Sequence, residues 1–203
     1  MAKTLEHVGL DGVINMTESP TGVTRFAMVN GLVLERGFVS PMFVETLDPE
    51  DDGNKQNIMN LVMELEQPHI LVVANRIKEV SQIVPILDLL KNSGTKRPFL
   101  LFSEDLQEEP MSTMLYNNQK NILRSCAVNI PWMAGIQKDI LKDICAMTGA
   151  TLVDDEHEIK LEEVEMKHFG AAKMINIDDG FTHIVGGDFE KERFDQRCQE
   201  IKD

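Results

Sequence analysis

The sequence predicts an α/β fold, a layered domain with a βαβα core and flanking antiparallel strands, and three observations carry that expectation. Ile70-Leu-Val-Val-Ala74 and Pro98-Phe-Leu-Leu-Phe102 are short, unbroken apolar runs, the pattern of strands buried on both faces. A helical pattern lies between them and another follows, so the two strands read as a parallel pair. Towards both ends of the chain the period falls to simple alternation around turn residues, which marks hairpins.

Each element follows from local chemistry. Pro85 is expected in the first turn of a helix, where its missing N–H costs nothing, and Gly94 is a C-terminal stop, so the first core helix is predicted over Ile83–Lys91. The second follows Ser103-Glu-Asp, carries Glu108, Glu109 and Pro110 in its first turn, and is predicted to run to about Leu123 with Asn117–Asn121 facing outward. Arg124–Asn129 is a third strand, Gly135–Met147 a third helix ending at Gly149, and Thr151-Leu-Val153 a further strand. Before this core, Val13–Thr17 and Thr24–Val29 read as hairpin strands. Gly31–Val44 is a strand entering a loop that presents Phe38, Met42 and Phe43, and Leu47–Asn57 is an acidic loop. After it, His157–Leu161 alternates, Lys173–Ile177 and Phe181–Val185 form strands around Asp178-Asp-Gly180, and Asp188–Lys202 is a charged terminal helix.

The two core helices carry more apolar surface than one core contact uses. On a helical wheel Ile83, Val84, Ile86, Leu87, Leu89 and Leu90 cover about 220°, and Met111, Met114, Leu115, Tyr116, Ile122 and Leu123 about 200°, where burial on one core needs about 100°. The surplus edges are Val84 with Leu87, and Met111 with Leu115 and Tyr116. Either another layer of the domain covers them, or they border an apolar groove that holds another chain.

Composition narrows the function. The chain has 203 residues, 42% of them hydrophobic, and a net charge of −14, which disfavours nucleic acid and anionic membranes as partners. No run of about 18 apolar residues and no secretory leader is present, so a soluble chain is expected. Three widely spaced cysteines, Cys126, Cys145 and Cys198, suggest reduced thiols. The five histidines lack ligand spacing, no phosphate loop or nucleophile elbow occurs, and the dense Asp154–Glu158 cluster reads as a solvated turn, so neither metal nor catalysis is expected.

A resemblance then joins these pieces. Glu35-Arg-Gly-Phe-Val-Ser-Pro-Met-Phe43, Val84-Pro-Ile-Leu87, the Ser103-Glu-Asp105 turn, Val128-Asn-Ile-Pro131 and Met147-Thr-Gly-Ala-Thr-Leu152 together resemble the GroEL-type (group I) chaperonin in order and spacing over nearly the whole chain. The part resembled is the apical domain at 30–203, its last helices truncated, after an intermediate-domain remnant and leading strands at 1–29. The resemblance implies a swivelling β/β/α domain that binds unfolded polypeptides and, in competition, the mobile loop of a co-chaperonin, with ring neighbours in the parent. The parent's ATP and magnesium sit in an equatorial domain whose Gly-Asp-Gly-Thr-Thr run is absent here, so this fragment is expected to be no enzyme, to hold no cofactor, and to be a monomer or weak oligomer.

Carried across position by position, the family's polypeptide- and co-chaperonin-binding residues fall on Phe38, Ser40, Met42, Phe43, Val84, Leu87, Met111, Leu115 and Tyr116. Glu109 and Lys120 resemble a charge pair, and Arg36 an arginine that in the family meets a neighbouring subunit. Met42 stands where an aromatic is usual and Tyr116 where a small aliphatic is usual. That divergence points to a mitochondrial or plastid matrix ahead of bacterial cytoplasm. The competing expectation is an α/β enzyme or small-ligand domain with a crevice at the strand ends near Ala74, Glu104 and Asn129.

Overall fold

The computed structural model describes residues 31–45, 62–130, 136–154, 159–188 and 191–202, all within a compact unit that runs from Gly31 to Asp203. The expected hairpin strands before Asn30, the remnant assigned to 1–29 and the acidic loop at 47–57 lie outside the described residues.

The parallel core forms as expected. β3 (His69–Val73) pairs in parallel with β5 (Phe99–Ser103), and β5 with β7 (Ser125–Asn129); every residue of β3 and β5 is buried. The short β8 (Leu152–Val153) adds in parallel to the other side of β3. Helix α2 (Val80–Asn92) links β3 to β5, and α3 (Glu108–Gln119) links β5 to β7. Both crossovers step the same way along the sheet, so the right-handed rule puts α2 and α3 side by side on one face. Helix α4 (Ile136–Thr148) connects β7 back past β3 to β8 and therefore takes the opposite face, where it meets β3 and β9.

A second, antiparallel group joins this core through one strand. β9 (Gly170–Ile177) pairs along one edge with β10 (Thr182–Gly187), which pairs with β1 (Gly31–Leu34). Along its other edge β9 pairs first with β3, at Gly170 and Ala171, and then with β2 (Met63–Glu66), from Met174 to Ile177. The observed order matches the expected α/β class with flanking antiparallel strands. β2 is an addition, legible in its alternation, with Met63 and Leu65 buried and Glu64 and Glu66 exposed.

Several boundaries are corrected. His157–Leu161 is no strand where it is described: Leu161 opens a 3-10 turn, Leu161–Glu163. Asp154 is buried at the end of β8, whereas the sequence placed it in a solvated turn; residues 155–158 lie outside the described set. The terminal helix α5 begins at Lys191 and docks on α4, where Arg197 reaches Asp143 at 2.7 Å and Asp139 at 3.3 Å. Burial pushes the Cys126 and Cys145 thiols up to about 12, keeping both protonated and inert.

Candidate functional site

The face built by α2 and α3 is shaped first by how those helices start and stop. α2 starts earlier than predicted because the Gln82 side-chain oxygen accepts the backbone N–H groups of Lys78 and Glu79 at 2.8 and 3.0 Å, satisfying donors a helix start leaves open. Pro85 therefore lies in the second turn and removes the donor that would meet the Ser81 carbonyl. At the other end Gly94, at φ 69°, closes the helix, as expected.

α3 stops at Gln119, short of the predicted Leu123. Asn121 adopts a left-handed φ of 51°, its N–H bonds the Asn118 carbonyl at 2.9 Å, and the Ile122 N–H bonds the Asn117 carbonyl at 3.0 Å. This is a Schellman closure with asparagine in the glycine position. Asn118, expected to face outward, is buried. Its amide nitrogen donates to the Ser125 carbonyl at 2.8 Å, and its oxygen accepts from the Ser125 N–H and hydroxyl at 2.7 and 3.0 Å. The end of α3 is thereby fastened to the start of β7.

Against this frame the nine expected binding residues divide. Val84 is 37% exposed, Tyr116 57% and Met42 47%, and Met111, Phe38 and Ser40 are half-buried. Leu87 and Leu115 are corrected: at 7% and 6% exposure they belong to the core, in a layer where α2 packs against both α3 and the 3-10 turn Leu161–Glu163. Phe43 is corrected too. It is fully buried in the short helix α1 (Met42–Glu45), which folds the loop inward beside α3. What remains uncovered is a narrower apolar edge than the wheel implied.

The loop and the helices are nonetheless brought together. Phe38 bridges Val128, and the Val39 N–H bonds the Ala127 carbonyl at 2.9 Å, so this segment caps the outer edge of β7. α1 then adjoins α3 on the side away from α2, placing exposed Met42, half-buried Met111 and exposed Tyr116 around one helix. The expected Glu109–Lys120 pair does not fit one helix, since eleven residues at about 1.5 Å rise put them about 16 Å apart. Lys120 lies instead over the Tyr116 ring, 5.6 Å from its centroid.

A second candidate is a cleft of about 510 Å³ at the carboxyl ends of the parallel strands, the place expected for a small-ligand crevice, with Phe38 and Val39 on one wall. Glu104 and Asn129 line it, as foreseen, together with Arg36, Arg76, Asp105 and Asp179, whereas Ala74, expected there too, is buried and does not. Arg76 donates from Nε to Glu104 at 2.7 Å, which holds its guanidinium still more firmly protonated, and the Asn129 amide donates to Asp105 at 3.3 Å. Gly37 closes one wall because a Cβ there would run into the backbone of Asp178 and Asp179. Arg76 and Asp105 escaped the sequence reading because each sits in a two-residue strand, β4 (Arg76–Ile77) or β6 (Asp105–Leu106), too short to show a period.

Among the described residues no group of three or more His, Cys, Asp and Glu side chains is placed to hold a metal ion. No helix among them is long and apolar enough to cross a membrane. No protein-family model matches the chain.

Proposed function

We propose that this chain is a polypeptide-binding module of the GroEL-type apical class, holding apolar segments of non-native proteins, and in competition a co-chaperonin loop, on the edge formed by α1, α2 and α3. The observation that carries the reading is the apolar surface left open on adjacent helices, exposed Val84 on α2 and exposed Tyr116 with half-buried Met111 on α3, together with exposed Met42 on the adjoining α1. The order of the parallel strands and crossover helices and the antiparallel strands around them supports it. ATP hydrolysis belongs, in this reading, to an equatorial domain of the parent ring, and the location is a mitochondrial or plastid matrix, with bacterial cytoplasm as the alternative.

The energetics suit a reversible holder. A segment covering on the order of 300 Å² of apolar surface gains roughly 7.5 kcal/mol at about 25 cal/mol per Å². Association and ordering cost about 4–15 kcal/mol, so one face binds weakly and repetition in a ring supplies the avidity. The flexible thioethers of Met42 and Met111 let the edge adapt to unrelated sequences.

The test is binding of a fluorescent apolar peptide to the full chain and to Val84→Glu with Tyr116→Glu. Both sites are exposed, so the fold is retained. A loss of at least about tenfold in affinity with an unchanged unfolding midpoint is expected; equal binding overturns the reading. The cleft at Glu104 and Asn129 favours a second reading, a small-ligand domain. A thermal shift in small dicarboxylates or amines that disappears in Asn129→Ala would support that reading in place of the first.

A further inference from the structure

The apolar edge is not electrically uniform, although the chain as a whole is acidic, with a net charge of −14. α2 and α3 both run antiparallel to the strands they follow, so their starts share one end of the layer and their ends share the other. At the starts lie exposed Glu79, Glu108 and Glu109, opposed by Lys78. At the ends lie exposed Lys91, Lys96, Lys120 and Arg124, opposed by Asp88 and by Glu66 beside Gln67, while the 3-10 turn packed on α2 carries exposed Glu162 and Glu163. Arg97 is at this end too, but its Nε is committed to the Gln67 carbonyl at 2.6 Å.

The cationic end also has a shaped recess. A cleft of about 440 Å³ lies just past the last turns of both helices, with Thr95 and Lys96 on the α2 side and Asn121, Ile122 and Arg124 on the α3 side. Ile122 is exposed there, so apolar surface continues into the basic recess. Lys120 over the Tyr116 ring sets a cation directly on the apolar edge. The Schellman closure at Asn121 fixes this arrangement, because turning the chain out at that residue brings Ile122 and Arg124 back beside the helix end.

We propose that the edge selects apolar segments flanked on one side by acidic residues, and seats them in one direction, with the acidic flank in the recess between Lys96 and Arg124. The proposal rests on the polypeptide-binding reading above and names its substrate class. The apolar part of the segment lies along Val84, Met111 and Tyr116, and its carboxylates meet Lys96, Lys120 and Arg124. A basic flank in the same direction faces like charge, and turned around it meets only the smaller acidic excess at the helix starts. Such discrimination by surface charge is partial and salt-dependent.

The experiment compares labelled peptides with one apolar core and an acidic, a neutral or a basic flank, binding to the full chain at about 50 mM and about 300 mM salt. The acidic-flanked peptide is expected to bind roughly five- to tenfold tighter than the neutral one at low salt, with the gap narrowing at high salt. In Lys96→Glu with Arg124→Glu, whose sites are both exposed, the gap closes while the neutral peptide keeps its affinity. A photo-crosslinker beside the acidic flank is expected to label 120–124 rather than 104–109. Equal binding of all three peptides, or a preference for the basic flank, overturns the charge selection and leaves the apolar site standing. Binding of none of them overturns both.

Discussion

The two exposed regions that bear on function are built on opposite plans. In the strand-end cleft the polar groups hold one another: Arg76 is tied to Glu104, and Asn129 to Asp105. Along the α1–α2–α3 edge Val84, Met42 and Tyr116 are exposed, while Leu87, one turn from Val84, and Leu115, next to Tyr116, are sealed. A self-paired polar site must give up internal bonds to take a ligand, whereas an uncovered apolar edge gives up only water. The comparison therefore favours the helix edge as the binding surface, and it separates residues that hold the fold from residues available to a partner.

The sharpest break of that comparison is Asn118→Ala. It leaves the buried N–H and carbonyl of Ser125 without partners and should cost about 3 kcal/mol in urea unfolding, while the edge residues themselves are untouched. Leu87→Ala should cost about 2–3 kcal/mol as a core truncation, whereas Val84→Ala one turn earlier should stay within about 0.5 kcal/mol. If the two changes cost the same, the division between core and edge is wrong. Val84→Glu with Tyr116→Glu should reverse the pattern, leaving stability near wild type and reducing peptide affinity at least about tenfold, worth about 1.4 kcal/mol.

The smallest expected effect is on pH. Burial, with help from Arg97, holds the His69 imidazole below its ordinary value of 6.5. The unfolded chain then binds more protons than the folded one as pH falls through and below 6.5, so stability declines on acidification across that window and not above it. The His69 Nε2 pairs with the Thr95 hydroxyl at 3.1 Å and its ring meets Phe169 edge-on; neither partner belongs to the apolar edge, so binding of a neutral-flanked peptide there should not follow the same titration. Unfolding midpoints from pH 7.5 to 5, compared with His69→Gln, test this; a slope unchanged by the substitution would assign the effect elsewhere.

How far the sequence could be read depended on the range of the interactions. The unbroken runs at Ile70 and Pro98 announced β3 and β5, because a strand buried on both faces leaves a continuous apolar signature. The wheel overestimated the exposure of α2, and for α3 it counted Ile122 and Leu123, which lie past the helix end. Sequence shows which residues are apolar, and only the tertiary packing of the helix layer shows that Leu87 and Leu115 are already covered. Phe43 was misplaced for the same reason, since the turn at Met42–Glu45 buries it beside a helix far along the chain. The end of α3 was missed because its stop is an asparagine with a positive φ, a weaker signal than the glycine at the end of α2.

Strand β9 belongs at once to the antiparallel group and to the parallel one, through β10 and β2 on the one hand and the start of β3 on the other. Stripping it away would orphan ladder bonds in both groups together, so opening of the two groups is coupled through it. The amides of Ile175 and Ile177 should consequently exchange with solvent only when the entire sheet opens, making this strand the slowest clock in the molecule.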